Sequence, residues 1–200
     1  MDNQSRQKYR IKAKDSFITK KNLFLFSIAI QEQYFFSDQA FRDFIISDDL
    51  VKIYSAEYWQ QHETYKINNL TIKEISERIE KIEKEHHDKF DLLQIEYLHL
   101  FQSIFPEKDF DDLINRKVCH YCQISLDEIE ILGERLKLFK KNLRGWKLEI
   151  DRLNSNKEYR PENCVMACYW CNNAKTDEFS ENEFLQIGLK INEIWKTRLL

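Results

Sequence analysis

The sequence has very little glycine and proline. Three glycines and two prolines occur in 200 residues, and Pro106 is the one member of this group among the first 114 residues. Because these residue types supply most turns and strand ends, their near absence excludes an architecture of many short strands for that part of the chain. We predict that residues 1–114 are helical.

Long apolar runs and signal sequences are also missing. No run of about 18 apolar residues occurs, which is the length that a membrane-spanning helix requires. The first ten residues, MDNQSRQKYR, lack the apolar centre of a secretory signal. We expect a soluble, cytoplasmic protein that makes no contact with a membrane.

Cysteine is absent before residue 119. The five cysteines that follow are odd in number, and four of them form the Cys-x-x-Cys pairs Cys119/Cys122 and Cys168/Cys171. A secreted disulfide scaffold would spread an even number of cysteines along the chain. Two such pairs instead predict one tetrahedral zinc site, which in many proteins serves only as a brace. We expect the fifth cysteine, Cys164, to be a small core residue.

Net charge is small, at −3, and by itself indicates nothing about nucleic acid. Residues 135–160 are different, because they carry nine lysines and arginines against three acids. Such a patch is typical of a surface that binds phosphate backbones through counterion release, although a solvated helix face could carry the same charges. Its basic residues are Arg135, Lys137, Lys140, Lys141, Arg144, Lys147, Arg152, Lys157 and Arg160.

Aromatic and aliphatic residues crowd positions 17–59. Within this segment Ser37 and Ser47 each precede an acid, and both are typical N-cap residues. The segment therefore predicts two or three short helices that pack on one another.

A capping box formed by Thr71 and Glu74 starts the next predicted helix. Its apolar stripe continues to residue 100 and would suit either the seam of a coiled-coil dimer or one arm of a helical hairpin. We favour the hairpin, because the stripe has a histidine at position 86 and the exposed face has no regular pattern of interhelical charges. His86 and His87 are expected to lie on the solvated face of this helix.

Residues 115–200 alternate between helical and extended patterns. After the first cysteine pair, a second capping box, Ser125 with Glu128, starts a helix that we expect to continue to Gly145. Residues 147–152 and 163–168 are predicted strands joined by a loop, and residues 169–177 and 180–199 are predicted helices. The predicted fold class is mainly α with a small α+β module. A helical region, residues 1–114, precedes a zinc-braced domain, residues 115–200.

The strand, loop, strand and helix of this module carry residues suited to a metal. Asp151 lies near the end of the first strand, and Asn172 follows Cys171 directly. Over residues 117–178 the arrangement resembles the ββα-metal motif of the HNH endonuclease superfamily, and it is most similar to members braced by four zinc-binding cysteines, such as the endonuclease VII resolvases. The resemblance implies that Asp151 and Asn172 hold one divalent cation. Their carboxylate and carbonyl oxygens are hard ligands that suit Mg²⁺ or Mn²⁺.

The resemblance also implies three further roles. Asn163 matches the middle asparagine of the motif and is expected to tie the loop to the strand without touching the metal. Lys175, one helical turn after Asn172, is a candidate phosphate contact. Arg152 stands where the family has its general-base histidine. Arginine stays protonated, so it can only bind phosphate or stabilise charge there.

Catalysis would therefore depend on what replaces that histidine. Tyr159, on the loop beyond Arg152, is the candidate for activating or replacing the attacking water. Alternatively, metal-bound water loses its proton to phosphate or to bulk solvent. In the third possibility the chain binds nucleic acid without cutting it.

The sequence thus predicts a metal-dependent HNH endonuclease that hydrolyses phosphodiester bonds in nucleic acid, with DNA favoured, using a structural Zn²⁺ and a catalytic Mg²⁺ or Mn²⁺. Restriction or defence against phage is its expected setting by analogy. The alternatives are an inactive zinc-braced nucleic-acid-binding module and an effector subunit activated by a partner. Residues 1–114 could form a homodimer, dock a helical partner protein or contact nucleic acid.

Overall fold

The fold is described from a computed structural model for residues 1–33, 35–138 and 143–200, without the side chains of residues 143 and 144. Most of these residues are helical, and the described strands form two antiparallel two-stranded sheets, so the predicted fold class is confirmed. Along the described ranges, no helix combines the length and the apolar character needed to cross a bilayer.

The described chain divides into two compact units, which we call the helical unit and, after its predicted zinc site, the zinc unit. The zinc unit includes residues before position 115, which was the predicted domain boundary. Two of these residues, Phe110 and Leu113, are buried. The separate functions expected for the predicted domains 1–114 and 115–200 stay a prediction. The helical unit contains Gln7–Ile104 and Asn156–Glu158, and the zinc unit contains Met1–Arg6, Phe105–Ser155 and Tyr159–Leu200.

The first half of the described chain is helical apart from one short hairpin. Its elements are α1 (Asn3–Ala29), α2 (Asp38–Asp43), α3 (Asp48–Ile53), a π-helical turn (Tyr54–Tyr58), β1 (Lys66–Ile67), β2 (Leu70–Thr71), α4 (Ile72–Glu85) and α5 (His87–Ile104).

The N-terminal helix is longer than expected. Ser37 and Ser47 cap α2 and α3 as predicted, because their side chains accept backbone N–H groups of the first helical turn. The prediction that residues 17–59 form only short helices is wrong at its start, since α1 is one helix of 27 residues that continues to Ala29. No glycine or proline interrupts it, and Phe17 and Phe24 are buried along its length.

A short hairpin replaces the expected all-helical path before α4. β1 and β2 pair antiparallel, with Ile67 opposite Leu70. The turn between them consists of Asn68 and Asn69, whose φ angles are 50° and 67°. Asparagine tolerates this left-handed region, so the chain turns here without glycine.

The long helix predicted after Thr71 is divided in two. The capping box of Thr71 and Glu74 is confirmed. At His86 the backbone leaves the helical region (φ −120°, ψ 20°), and α5 begins at the next residue. The imidazole of His86 stacks on Phe36 with ring centroids 4.2 Å apart, so the prediction of a solvated His86 is wrong. His87 is exposed, as predicted.

The zinc unit contains the predicted ββα module, with α8 following the second strand. In its hairpin Asp151 pairs with Val165 and Glu149 with Ala167. Its core includes the buried Phe184 and Trp195 of the last helix. The elements are α6 (Glu107–Ile114), α7 (Leu126–Glu134), a 3-10 turn (Leu143–Trp146), β3 (Leu148–Arg152), a second 3-10 turn (Pro161–Asn163), β4 (Cys164–Cys168), α8 (Tyr169–Lys175) and α9 (Glu181–Leu199).

Helix α7 is much shorter than expected. Its capping box, Ser125 with Glu128, is confirmed, but the helix ends at Glu134 instead of continuing to Gly145. Leu136 has a φ of 56°, and the backbone N–H of Lys137 donates back to Leu132, which is the hydrogen bonding of a helix C-cap. Phe139, which was predicted to continue the helix, lies outside the described residues.

Candidate metal and nucleic-acid site

Four cysteine sulfurs converge in the zinc unit. Cys119 and Cys122 lie on the knuckle before α7, Cys168 ends β4, and Cys171 lies in the first turn of α8. All four are buried, and their sulfurs lie within 4.8 Å of one another. The sulfurs of Cys122 and Cys168 are 3.6 Å apart. A zinc tetrahedron with bonds of about 2.3 Å has sulfur–sulfur edges of about 3.8 Å, so the donors fit Zn²⁺.

Backbone hydrogen bonds attach this knuckle to the hairpin. The N–H of His120 donates to the carbonyl of Met166 on β4 at 2.8 Å. Inside the knuckle the N–H of Gln123, whose φ is 57°, donates to the carbonyl of Cys119. Cys164 is buried at the start of β4 and lies outside the sulfur cluster, as expected of a core residue.

Hydrogen bonds within the cluster change the pKa values of Cys119, Cys168 and Cys171. A hydrogen bond from Cys122 is the main cause that lowers the pKa of Cys119. Hydrogen bonds with Cys119 are the main cause that raises the pKa values of Cys168 and Cys171. Zn²⁺ binding would displace the thiol protons, because the metal takes its cysteine ligands as thiolates.

Asp151 lies on β3 in a largely enclosed position. Its Oδ2 accepts a hydrogen bond from the hydroxyl of Tyr121 at 2.7 Å and lies 3.7 Å from the ammonium of Lys175. Burial raises the pKa of Asp151, and these two partners oppose that rise. Burial is also the main cause that raises the pKa of Tyr121, so the phenol stays a donor to the carboxylate. The cysteine knuckle, which carries Tyr121, is thus joined directly to the candidate metal ligand.

Lys175 lies on α8 one turn after Asn172, as predicted, but it is buried. Its side chain is 2% exposed, and its ammonium donates to the carbonyl of Arg152 at 3.0 Å. This burial argues against the predicted phosphate contact and makes Lys175 a counter-charge for Asp151. Helical spacing from Asn172 predicted the face of α8 on which Lys175 lies, but spacing carries no information about depth.

Asn172 and Glu149 form the second contact between α8 and β3. The side-chain Nδ2 of Asn172 donates to Oε2 of Glu149 at 2.7 Å. Glu149 and Asp151 are alternate residues of β3, so their side chains leave the same face of the strand. Asp151 and Asn172, the two predicted metal ligands, therefore both lie where β3 meets α8. Sequence reasoning missed Glu149, although the two-residue period of a strand pointed to it.

Arg152 is adjacent to Asp151 and leaves the opposite face of β3. Its guanidinium lies 4.8 Å from the ring centroid of Tyr159, within the range of a cation–π contact. Tyr159 is 7% exposed. Arg152, at the position of the family's histidine, and Tyr159, the candidate for activating water, are therefore neighbours, and the aromatic ring supports the guanidinium.

Asn163 holds the loop between the two strands. Its Nδ2 donates to the carbonyl of Asn154, and its Oδ1 accepts the N–H of Asn154 at 2.9 Å. The backbone carbonyl of Asn163 accepts the N–H of Leu153 as well. This is the loop-to-strand tie that the family resemblance implies for Asn163.

The basic patch can be described only in part. Lys140 and Lys141 lie outside the described residues, and the side chain of Arg144 is not described. Lys157 forms an ion pair with Asp48 within the helical unit. Part of the positive charge counted in the sequence is therefore already matched by an acid of the same chain.

Removing one hydroxyl tests the link between the knuckle and Asp151. We expect Tyr121→Phe to weaken Mn²⁺ binding about tenfold, because a lost supporting hydrogen bond lets the ligand carboxylate turn. Zinc content should stay unchanged. Tyr169→Phe, whose ring contacts Trp170 in the same unit, is the matched control. Equal Mn²⁺ affinities for both variants would contradict the link.

Comparisons with known proteins give one structural likeness and little else. No protein-family model and no curated protein matches the chain. A match among the solved structures is the rare-cutting HNH restriction endonuclease PacI, at 30% sequence identity and a TM-score of 0.39 over 47% of this chain. The matched part spans 66% of that enzyme's chain. With a TM-score this low, function has to be inferred from the residues of the site themselves.

Proposed function

We propose that this chain is a metal-dependent endonuclease of the HNH type that hydrolyses phosphodiester bonds in nucleic acid, with DNA as the favoured substrate. The observation that carries the proposal is that Asp151 and Asn172 each make a contact between β3 and α8, Asp151 with Lys175 and Asn172 with Glu149, in the unit that holds the four-cysteine cluster. A structural zinc site alone needs the cysteines, but it does not need carboxylate and amide side chains at the junction of β3 and α8.

The donor set at β3 and α8 suits a hard cation. Asp151 offers a carboxylate and Asn172 an amide oxygen, and both are oxygen ligands of the kind that Mg²⁺ and Mn²⁺ prefer. Bound there, either ion would polarise the scissile phosphodiester and stabilise the leaving oxygen. Tyr121 and Lys175 orient the carboxylate of Asp151. Asn163 keeps the loop that carries Tyr159 attached to the strand.

Arg152 contributes a permanent positive charge. Its planar guanidinium can form two hydrogen bonds with a phosphate at once, and the ring of Tyr159 limits its motion. It cannot remove a proton from water. Tyr159 remains our candidate for activating or replacing the attacking water, with proton loss to phosphate or solvent as the alternative route.

The role of Arg152 has a direct test. We expect Arg152→His to lower the cleavage rate by about 10- to 100-fold, because the imidazole loses the fixed charge and the bidentate phosphate contact. Arg152→Lys keeps the charge but not the planar guanidinium, so its cleavage rate should lie between those of the native chain and Arg152→His. Single-turnover cleavage of a labelled duplex with Mn²⁺ measures both. Faster cleavage by Arg152→His would instead mean that a missing general base limits the native enzyme.

Arginine at the base position also favours a second candidate, a module that binds nucleic acid without cutting it. Plasmid, linear, single-stranded and branched DNA, together with RNA, separate the two functions when binding and cleavage are measured on the same samples. Binding without cleavage of any form, with zinc bound and Mg²⁺ or Mn²⁺ present, would favour the module or a subunit that needs an activating partner. Protection of cells against phage, lost in Asp151→Ala, would support a role in defence.

A further inference from the structure

Glu149 belongs to none of the roles assigned so far, although it contacts one of the two proposed ligands. Its carboxylate accepts the hydrogen bond from Nδ2 of Asn172 at 2.7 Å. Resting on the function proposed above, we infer that Glu149 is a positioning residue for the divalent cation. It holds the Asn172 amide so that its carbonyl oxygen faces the ion beside Asp151.

The chemistry of the two groups determines which end of the amide is held. An ionised carboxylate only accepts hydrogen bonds, and the amide nitrogen of asparagine only donates them. Glu149 therefore selects Nδ2, and the amide oxygen is the end left to bind a cation. A hydrogen bond to a charged acceptor is also stronger than a neutral one, so it restricts rotation of the amide effectively. Without this bond Asn172 could present its nitrogen, which binds no cation.

The placement of Glu149 next to Asp151 supports the same role. The two carboxylates lie on the same face of β3, roughly 7 Å apart at the backbone for alternate strand residues. Asp151 contacts Lys175 and Glu149 contacts Asn172, so both acids connect β3 to the helix that carries the second proposed ligand.

The experiment measures Mn²⁺ binding by the zinc-loaded full chain, using electron paramagnetic resonance of the free ion. Glu149→Ala removes the acceptor, and Glu149→Gln keeps an acceptor oxygen but not the charge. We expect the dissociation constant to rise about 10- to 100-fold for Glu149→Ala and by a clearly smaller factor for Glu149→Gln, which keeps an acceptor oxygen but loses the charge and also offers a donor. Zinc content and the melting temperature of each variant show whether the zinc unit has kept its fold.

The outcomes separate this inference from the proposed function. If Asp151→Ala abolishes Mn²⁺ binding while Glu149→Ala leaves it unchanged, the positioning role is wrong and the metal site stands. Equal losses for Glu149→Ala and Glu149→Gln would also overturn it, because the carboxylate charge would then be what the ion requires. If the native chain binds no Mn²⁺, or if Asp151→Ala binds it as well as the native chain does, the proposed function itself fails.

Discussion

Replacing Asp151 with alanine is expected to abolish cleavage in the presence of Mg²⁺ or Mn²⁺. The carboxylate is the one charged ligand proposed for the catalytic ion, and metal polarisation of a phosphodiester contributes several kcal/mol to stabilisation of the transition state. We therefore expect the rate to fall at least about a thousandfold. A plasmid-nicking assay under single-turnover conditions measures the change.

Zinc content is the internal control for Asp151→Ala, because Asp151 is not part of the sulfur cluster. Asp112→Ala is the matched control variant, since Asp112 is an exposed acid on α6 of the same unit. It should cleave as the native chain does. Full zinc occupancy with persistent cleavage by Asp151→Ala would remove this residue from the catalytic machinery.

Replacing Cys168 with alanine is expected to release the zinc and destabilise the zinc unit. Cys168 ends β4 and caps the first turn of α8, so its loss removes a metal ligand and the connection between strand and helix. Structural zinc provides much of the folding free energy of such modules. A loss of about 3–5 kcal/mol would lower the melting temperature by roughly 15–30 °C.

Cys164→Ala is the matched control, because Cys164 is a buried cysteine of the same strand outside the cluster. It removes one buried sulfur and should cost about 1 kcal/mol without loss of zinc. Metal analysis and thermal melting of the two variants give the comparison. Equal zinc content in both would contradict a four-thiolate site.

Local signals predicted much of the zinc unit correctly. Ser125 with Glu128 marks a helix start because the capping hydrogen bonds involve residues only three apart. The two cysteine pairs likewise set their own knuckle geometry, and the predicted strands agree with β3 and β4 to within one residue at each end. Each of these features depends on neighbours in the sequence.

The contacts that sequence reasoning missed join distant residues. Tyr121 and Asp151 are 30 residues apart, and Glu149 and Asn172 are 23 apart, so no local pattern links the two members of either pair. The last turn of α7 makes a tertiary contact as well. A side chain on Gly133 would overlap the indole of Trp146, so this close approach requires glycine at that position. Helical periodicity contains no information about such contacts.

The structure gives the two predicted metals a physical connection. The knuckle that the cysteines form also carries Tyr121, whose hydroxyl holds Asp151. Loss of zinc should therefore weaken the second site even before the zinc unit unfolds completely. The missing histidine accordingly matters less to the architecture of the site than to its chemistry, because Asp151 is held by Tyr121 and Lys175.

The most direct measurement is the cleavage of supercoiled plasmid by the zinc-loaded native chain as Mn²⁺ is added. We predict nicked or linear product that appears only with added Mg²⁺ or Mn²⁺ and that Asp151→Ala fails to make. Product that forms equally with Asp151→Ala, or a complete lack of cleavage of every DNA and RNA form despite binding, would contradict a metal-dependent nuclease built on Asp151 and Asn172.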